Sequence, residues 1–264
     1  MTRIIDLHSH VLPGVDDGAQ DLEQAVAALE ALYGEGVEIV VATPHFRGSL
    51  LERPARARPR LEAFDAAYDM LVSTAEGRGL GIRIERAVEF KLDVPHVDLA
   101  DARLRLGGSR VALVEFASFQ VPPFAGNQLR AVREAGWVPL LAHPERYLGS
   151  DRALDRIGSW IEEGTYLQVN ARSLLGHHGA AARHTAVELL GRGWVCCLAS
   201  DYHGRGGPEW VEVLSLLDGL TPPPGWIRDL VFENPRRLLA DELPKPVRAC
   251  NVAVLERGRR RLWR

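Results

Sequence analysis

The feature that most restricts the fold of this 264-residue chain is a repeated phrase: a short apolar run that stops on a polar, ligand-type residue, followed by a segment of helical periodicity. Ile4-Ile5-Asp6-Leu7 leads into His8-Ser9-His10, Val37 to Thr43 into Pro44-His45, and Ile82 to Val88 into Glu89. Val111 to Val114 stops at Glu115, Val138 to Ala142 at His143, Tyr166 to Val169 at Asn170, and Trp194 to Ser200 at Asp201-Tyr202-His203. Between the first two runs, Leu22, Ala25, Val26, Leu29, Leu32 and Tyr33 recur at helical spacing behind a capping-box-like Asp21 and Gln24. A second helix is expected through Leu61, Phe64, Ala67, Tyr68 and Leu71, after an arginine-rich loop (Arg47, Arg53, Arg56, Arg58, Arg60). Further helices are expected over 126–136 and 179–192. Alternating strands and helices predict a mostly parallel sheet, and seven such units favour a closed TIM-like α/β barrel, a fold of about 250 residues. Strand ends of such a barrel meet at one mouth, so these histidines and carboxylates are predicted to converge.

Residues two apart on a strand point the same way, which makes His8 and His10 a metal clamp. The turn after them, Leu12 to Gly18, offers Asp16 and Asp17 to the same mouth. A lone His-x-His pair is equally well an ordinary hydrogen-bonding pair at a strand end; the recurrence of ligand-type residues at the other strand ends decides for a converging metal site. His96, His177, His178 and His184 fall off the strand ends and are expected to be surface or structural residues.

Past His203, a helix is expected from Glu209 to Leu217, then a rigid Pro222-Pro223-Pro224-Gly225 turn, then a helical segment from Ile227 to Leu239 broken at Asn234-Pro235. We divide the chain into a single barrel over 1–244 and a basic tail over 245–264. The tail carries seven Lys or Arg against Glu256, a net +6, so the overall charge of -3 leaves the body at -9. That tail is a candidate for contact with an anionic membrane surface; a plain solvated terminus is the competing reading. No apolar run is long enough to span a bilayer, and Met1-Thr2-Arg3 leads directly into a strand, so a cytoplasmic protein is expected. Cys196, Cys197 and Cys250 suit reduced thiols. A thiol phosphatase needs an arginine six positions after its cysteine, and those positions hold Tyr202, His203 and Glu256.

The ordered set His8-Ser9-His10 with Val15-Asp16-Asp17-Gly18, Ala42-Thr43-Pro44-His45, Val88-Glu89, Val114-Glu115-Phe116, Ala142-His143-Pro144-Glu145-Arg146-Tyr147, Gln168-Val169-Asn170 and Ala199-Ser200-Asp201-Tyr202-His203 resembles the polymerase-and-histidinol-phosphatase superfamily. Within it, the set is most similar to the bacterial manganese-dependent tyrosine phosphatases of capsular and exopolysaccharide synthesis. The resemblance runs in order from residue 4 to about residue 239. It implies a distorted (β/α)7 barrel with up to three metal ions: His8, His10, Glu89 and Asp201 around one, Glu89, Glu115 and His143 around a second, and Asp17, His45 and His203 around a third. It implies further that Arg146 binds the phosphoryl group, that the substrate is a phosphotyrosyl protein such as a bacterial tyrosine kinase, and that the chain self-associates. Imidazole and carboxylate donors without thiolate suit Mn(II), Fe(II) or Zn(II), and the resemblance favours manganese.

Metal ions about 3.5 to 4 Å apart serve in-line displacement at phosphorus. A guanidinium fork suits the non-bridging oxygens, so Arg146 is the first choice, with Arg47 and Arg205 behind it. A small-molecule phosphatase of the same superfamily, such as one acting on histidinol phosphate, and a non-catalytic metal-binding scaffold are the competing readings. No nucleic-acid partner is expected, since no extended basic surface exists outside the tail and the arginine-rich loop.

Overall fold

Parallel strands form seven staves, two of which are broken once. The computed structural model describes residues 2–95, 97–118, 120–147 and 152–252. The first stave is β1 (Ile4–Ser9), every residue of it buried. After α1 (Leu22–Gly34) the second stave is split into β2 (Val37–Ala42) and β3 (His45–Arg47). After α2 (Pro54–Gly77) the third is split into β4 (Arg83–Arg86) and β5 (Glu89–Leu92). Then follow β6 (Val111–Phe116), α3 (Ala125–Glu134), β7 (Val138–Ala142), α4 (Arg152–Glu162), β8 (Tyr166–Asn170), α5 (Ala171–Leu175), α6 (Gly179–Gly191) and β9 (Cys197–Ala199).

The two breaks lie at one level and divide the ladder into a three-stranded sheet, β1-β2-β4, and a six-stranded sheet, β3-β5-β6-β7-β8-β9. Pro44 lacks a donor and interrupts the second stave. The halves stay tied because Ala87 N donates to the Ala42 carbonyl (3.0 Å) and Glu89 N to the Pro44 carbonyl (3.1 Å). The first and seventh staves meet through one parallel bridge, Ser9 with Tyr202. Asp201 N donates to the His8 carbonyl (2.9 Å), and the buried Asp6 carboxylate accepts from Ser200 N at 3.0 Å. The predicted α/β barrel is therefore present in a distorted form, with a side-chain carboxylate doing part of what a longer ladder would do between β1 and β9.

Apolar side chains from the staves and from the inner helix faces form one core that includes Leu7, Val40, Phe46, Phe90, Leu113, Leu141 and Leu198, all fully buried. Burial of each such side chain contributes roughly 1.5 to 3 kcal/mol. Asp21 caps α1 by accepting from Gln24 N at 2.9 Å, but the Gln24 side chain turns to Gln20 N, so only half of the capping box forms.

Several sequence expectations change. The arginine-rich segment is a loop only to Arg53; α2 begins at Pro54, and Arg56, Arg58 and Arg60 ride on its first two turns. Pro54 sits where no donor is needed, and Pro59 removes one bond near the helix start, so two apparent breakers fit inside one helix. The helix α4 is an addition to the elements that the sequence pattern predicts. After α7 (Trp210–Asp218), the final helical run is not broken at Asn234-Pro235: α8 (Trp226–Arg228) passes through a π-helical turn (Asp229–Glu233) into α9 (Asn234–Leu239). The wide turn puts Pro235, which has no N–H to donate, at the start of α9.

The basic tail does not separate from the body at residue 245. Lys245 N donates to Asn234 Oδ1 (2.8 Å), Asn234 Nδ2 donates to the Lys245 and Cys196 carbonyls (3.0 Å each), and Trp226 Nε1 donates to the Arg248 carbonyl (2.8 Å). Val247 is buried in the core. The expected basic arm at Arg259-Arg260-Arg261, and His96, lie outside the described residues. Among the described residues no helix is long and apolar enough to cross a membrane.

Candidate metal centre

Each stave delivers its polar residue to the same end of the barrel. His8 and His10 come from β1 and the residue after it, His45 opens β3, Glu89 opens β5 and Glu115 lies near the end of β6. His143 and Asp201 immediately follow β7 and the β9 region, and both have positive φ, 36° and 52°. Non-glycine residues in that region are uncommon and cluster at functional sites. Gly18 is required: a Cβ there would fall on the carbonyl oxygen of His10, so only glycine lets the turn carrying Asp16 and Asp17 close over that histidine.

Three imidazoles are oriented by an acceptor on one ring nitrogen. His8 Nδ1 faces Gln168 Oε1 at 2.9 Å, His10 Nδ1 faces Asp16 Oδ2 at 2.7 Å, and His203 Nδ1 faces the Asp201 carbonyl at 2.8 Å. Assigned from these partners, each carries its proton on Nδ1 and turns the Nε2 lone pair towards the mouth, as metal-ligating histidines do. The acceptors are themselves held: Gln168 Nε2 donates to Asn170 Oδ1 (2.9 Å), and Asn170 Nδ2 donates to Asp201 Oδ2 (2.7 Å).

The innermost donors form a tight group. His8 Nε2 and His10 Nε2 are 3.2 Å apart, Glu89 Oε2 lies 3.4 and 3.5 Å from them, and Asp201 Oδ1 lies 3.4 and 3.3 Å from them. Ligand bonds of about 2.1 Å place donors about 3.0 to 3.4 Å apart, so the two imidazoles taken with Glu89, or with Asp201, stand close to the spacing that one cation needs. Farther out, Asp17 Oδ1 is 3.5 Å from Nε2 of both His45 and His203, and with His10 these form a second group.

The group that the resemblance implied around Glu89, Glu115 and His143 is arranged differently. Nε2 of His143 contacts Glu89 Oε1 at 2.7 Å and groups with His8 and Asp201, while Glu115 groups with His45 and Glu89. Lys91 Nζ lies 3.1 Å from Glu115 Oε1 and His45 Nδ1 lies 3.2 Å from it, drawing that carboxylate to the β3 side. Four donor atoms of the cluster, His45 Nδ1, Glu89 Oε2, Glu115 Oε1 and His143 Nδ1, are buried without an aligned hydrogen bond. Buried polar atoms without an aligned partner are costly, and three of these four residues come from the implied ligand set around Glu89. The residues present therefore fit divalent cations.

The electrostatics are mutual. Burial alone would raise Glu89 and Asp201, but His8 and His10, with His143, outweigh it: Glu89 is held well below the usual carboxylate range and Asp201 below its own. Burial lowers His45, yet Glu115 and Glu89 push it up to about 10. His203 goes the other way, lowered by burial and by His10.

Of the arginines, Arg146 reaches the centre: its Nη1 donates to Asp201 Oδ2 at 3.1 Å. Arg205 is exposed and donates to the Asp17 carbonyl at 3.2 Å, and Arg47 is exposed on the rim. His177 pairs with Glu209 at 2.7 Å and His184 approaches Glu188 at 3.8 Å, as structural residues. His178 is not isolated from the site: its Nδ1 faces Ser173 Oγ (2.8 Å), which donates to the buried Glu145 (2.7 Å) beside Arg146.

The description "Capsular polysaccharide synthesis, CpsB/CapC" belongs to a family whose pattern matches residues 4–240. The chain belongs to the CpsB/CapC family. Tyrosine-protein phosphatase CpsB of Streptococcus pneumoniae is 26% identical over 248 residues, covering 91% of this chain and 100% of that one. Tyrosine-protein phosphatase YwqE of Bacillus subtilis is 28% identical over 202 residues, 76% of this chain and 77% of that one. A solved structure from the pair YwqE of Bacillus subtilis and CpsB of Streptococcus pneumoniae, described as metal-dependent tyrosine phosphatases, has a TM-score of 0.75 at 25% identity, over 93% of this chain and 100% of the other. A phosphotriesterase homology protein from Escherichia coli shares the fold at 14% identity, with a TM-score of 0.53. The CpsB/CapC match ends at residue 240, so the strap from Asp241 to Val252 that packs on this chain lies beyond it.

Asn170 is where the strand-end pattern places it, at the mouth, but the sequence pattern gives no role to Gln168 or Lys91. Gln168 and Asn170 are two apart on β8, the same spacing that singles out His8 and His10, and that spacing points to Gln168. Nothing local points to Lys91, whose contact with Glu115 depends on the register of β5 with β6.

Proposed function

We propose that this protein hydrolyses phosphotyrosine in proteins, with the ligand set His8, His10, Asp17, His45, Glu89, Glu115, His143, Asp201 and His203 holding up to three divalent cations. The observation that carries this reading is that Nε2 of His8 and Nε2 of His10, 3.2 Å apart, each have Glu89 Oε2 and Asp201 Oδ1 within 3.3 to 3.5 Å, with Nδ1 of both rings tied elsewhere. Manganese is the ion proposed; Fe(II) and Zn(II) suit the same donors. When bound, such ions make water a nucleophile near neutral pH and take up charge on phosphoryl oxygens.

The chain's own residues do the rest. Glu89 offers Oε2 to His8 and Oε1 to His143, so this carboxylate would help to hold the ions on both sides of it. Arg146 exchanges part of its contact with Asp201 for a phosphoryl oxygen, and its planar fork orients the ester for in-line attack. Arg205 and Arg47 stand outside it and meet the substrate's remaining negative charge. A phenolate leaves with a pKa near 10, far below an alkoxide, so a tyrosine ester makes a modest demand on proton donation. The family's description in capsular polysaccharide synthesis and the names of its relatives support a protein substrate, for which we propose a tyrosine kinase of that system, in the cytoplasm. Self-association is part of the same proposal.

The test is initial-rate hydrolysis of a phosphotyrosyl peptide and of histidinol phosphate by chelator-stripped protein, with and without Mn(II). Metal-dependent turnover that favours the peptide supports the reading. Preference for the small ester keeps the centre and replaces the substrate, and no turnover of either by folded, metal-loaded protein leaves a binding scaffold.

A further inference from the structure

On a body whose charge is strongly negative, the segment from Arg47 to Arg60 is a cationic island: five arginines against Glu52. Parallel β/α topology puts the start of every helix that follows a strand on the mouth side of the barrel, so Arg53 and Arg56, at the start of α2, belong to the same rim as Arg47. Arg47 is two residues past His45 and pairs in register with Lys91, which adds a fifth cationic side chain near the ligands after Arg47, Arg53, Arg56 and Arg58. Arg47, Arg53, Arg56 and Arg58 are exposed. Arg58 is paired with Glu62 on its own helix and Arg60 lies over the Phe64 ring, whereas no carboxylate among the described residues lies within ion-pair distance of Arg47, Arg53 or Arg56.

The arrangement opposes the stability of the free protein. The first turn of α2 has no acidic residue and its N-cap, Arg53, makes no side-chain cap bond. Cations at the positive end of a helix repel both the helix dipole and one another. Contact with negative charge relieves that repulsion, and the acidic remainder of the body steers negative charge away from everywhere else.

We propose that the Arg47–Arg53–Arg56 rim is a docking surface for acidic residues flanking the phosphotyrosine of the protein substrate, so that substrate choice lies outside the metal centre. This rests on the phosphotyrosine reading above for its substrate, and its test is separate from that reading. The rim raises capture of acidic segments and leaves the chemical step alone, because rim charges act on encounter and on weak, salt-sensitive contacts.

The experiment compares full-length wild-type protein with Arg53→Glu/Arg56→Glu and with the milder Arg53→Gln/Arg56→Gln. Binding is followed by fluorescence anisotropy of two labelled peptides, one with acidic and one with neutral flanks, each carrying phosphonomethyl-phenylalanine so that turnover is not required. Hydrolysis of p-nitrophenyl phosphate with Mn(II) is measured alongside. The charge-reversed pair is expected to bind the acidic peptide about tenfold more weakly with a flattened salt dependence, the neutral pair to fall in between, and both to keep neutral-peptide binding and the small-ester rate. Equal loss for both peptides, no loss for either, or tighter wild-type binding of a mixed-sequence DNA oligonucleotide than of the acidic peptide overturns the docking assignment. Failure of wild-type protein to hydrolyse the small ester with any metal counts against the phosphatase reading alone, since the anisotropy comparison still decides the rim.

Discussion

Oε1 of Glu89 lies 2.7 Å from Nε2 of His143, a buried pair drawn from residues 54 positions apart. The other oxygen of the same carboxylate faces His45 Nδ1 at 2.8 Å and His8 Nε2 at 3.4 Å. Each oxygen of this carboxylate meets a different imidazole, so Glu89 would be the natural ligand to share between two cations. Its position comes from the break in the third stave: Glu89 begins β5 instead of ending one long strand, and its N–H is spent on the Pro44 carbonyl.

Adding Mn(II) to chelator-stripped protein should raise the melting temperature. An ion that binds the folded chain alone stabilises it by about 2.7 kcal/mol at a hundredfold excess over its dissociation constant, which corresponds to a shift of several degrees for a chain of this size. A thermal-shift titration with Mn(II), and with Mg(II) for comparison, checks this; melting curves unmoved by any divalent ion would remove the metal centre.

His143→Ala should lose both bound metal and turnover, whereas Arg146→Ala should keep the metal and lose about 10²- to 10³-fold in kcat, the usual cost of removing one group that stabilises developing charge. Metal analysis of purified protein beside steady-state kinetics separates the two. Near-normal turnover in metal-loaded Arg146→Ala would end its phosphate-binding role.

Gln168→Leu and Asp16→Ala leave every proposed ligand in place and untie Nδ1 of His8 and His10 respectively. Loss of such supporting partners weakens metal affinity about 10- to 100-fold. Competition against a chelator of known affinity measures it, and wild-type affinity in both variants would show that the rings are held by packing alone.

His178 carries a pH dependence of stability. Burial, reinforced by the nearby Arg146, lowers it from 6.5 to about 4. With the folded value below the unfolded one, the unfolded chain takes up this proton first, so the contribution is complete above pH 6.5 and is lost as pH falls towards 4. Urea midpoints of wild type and His178→Gln between pH 7 and pH 4 should converge as pH drops. A constant gap between the two curves would remove His178 from the acid limb.

Much of this centre is legible in the chain itself because both signals are local. Period-two and helical spacings report which side of an element is buried, and the polar residue that ends each apolar run marks the end of a strand, so His8, His10, His45, Glu115, His143 and Asp201 could be picked out one element at a time. The start of α2 is hidden for an equally local reason: Pro54 and Pro59 look like breakers unless their distance from the helix start is known.

The order of strands and helices, and the chemical type of the residues at their ends, can be read from the chain alone, because they depend on neighbours a few positions away. The breaks between β2 and β3 and between β4 and β5, the pairing of Lys91 with Glu115, and the Gln168, Asn170 and Asp16 contacts that orient the ligands come from the folded arrangement. These depend on stave register and on how the sheet twists shut. Both are set by packing across the whole core, and shifting one strand by a single residue would turn its ligands from the mouth to the helices.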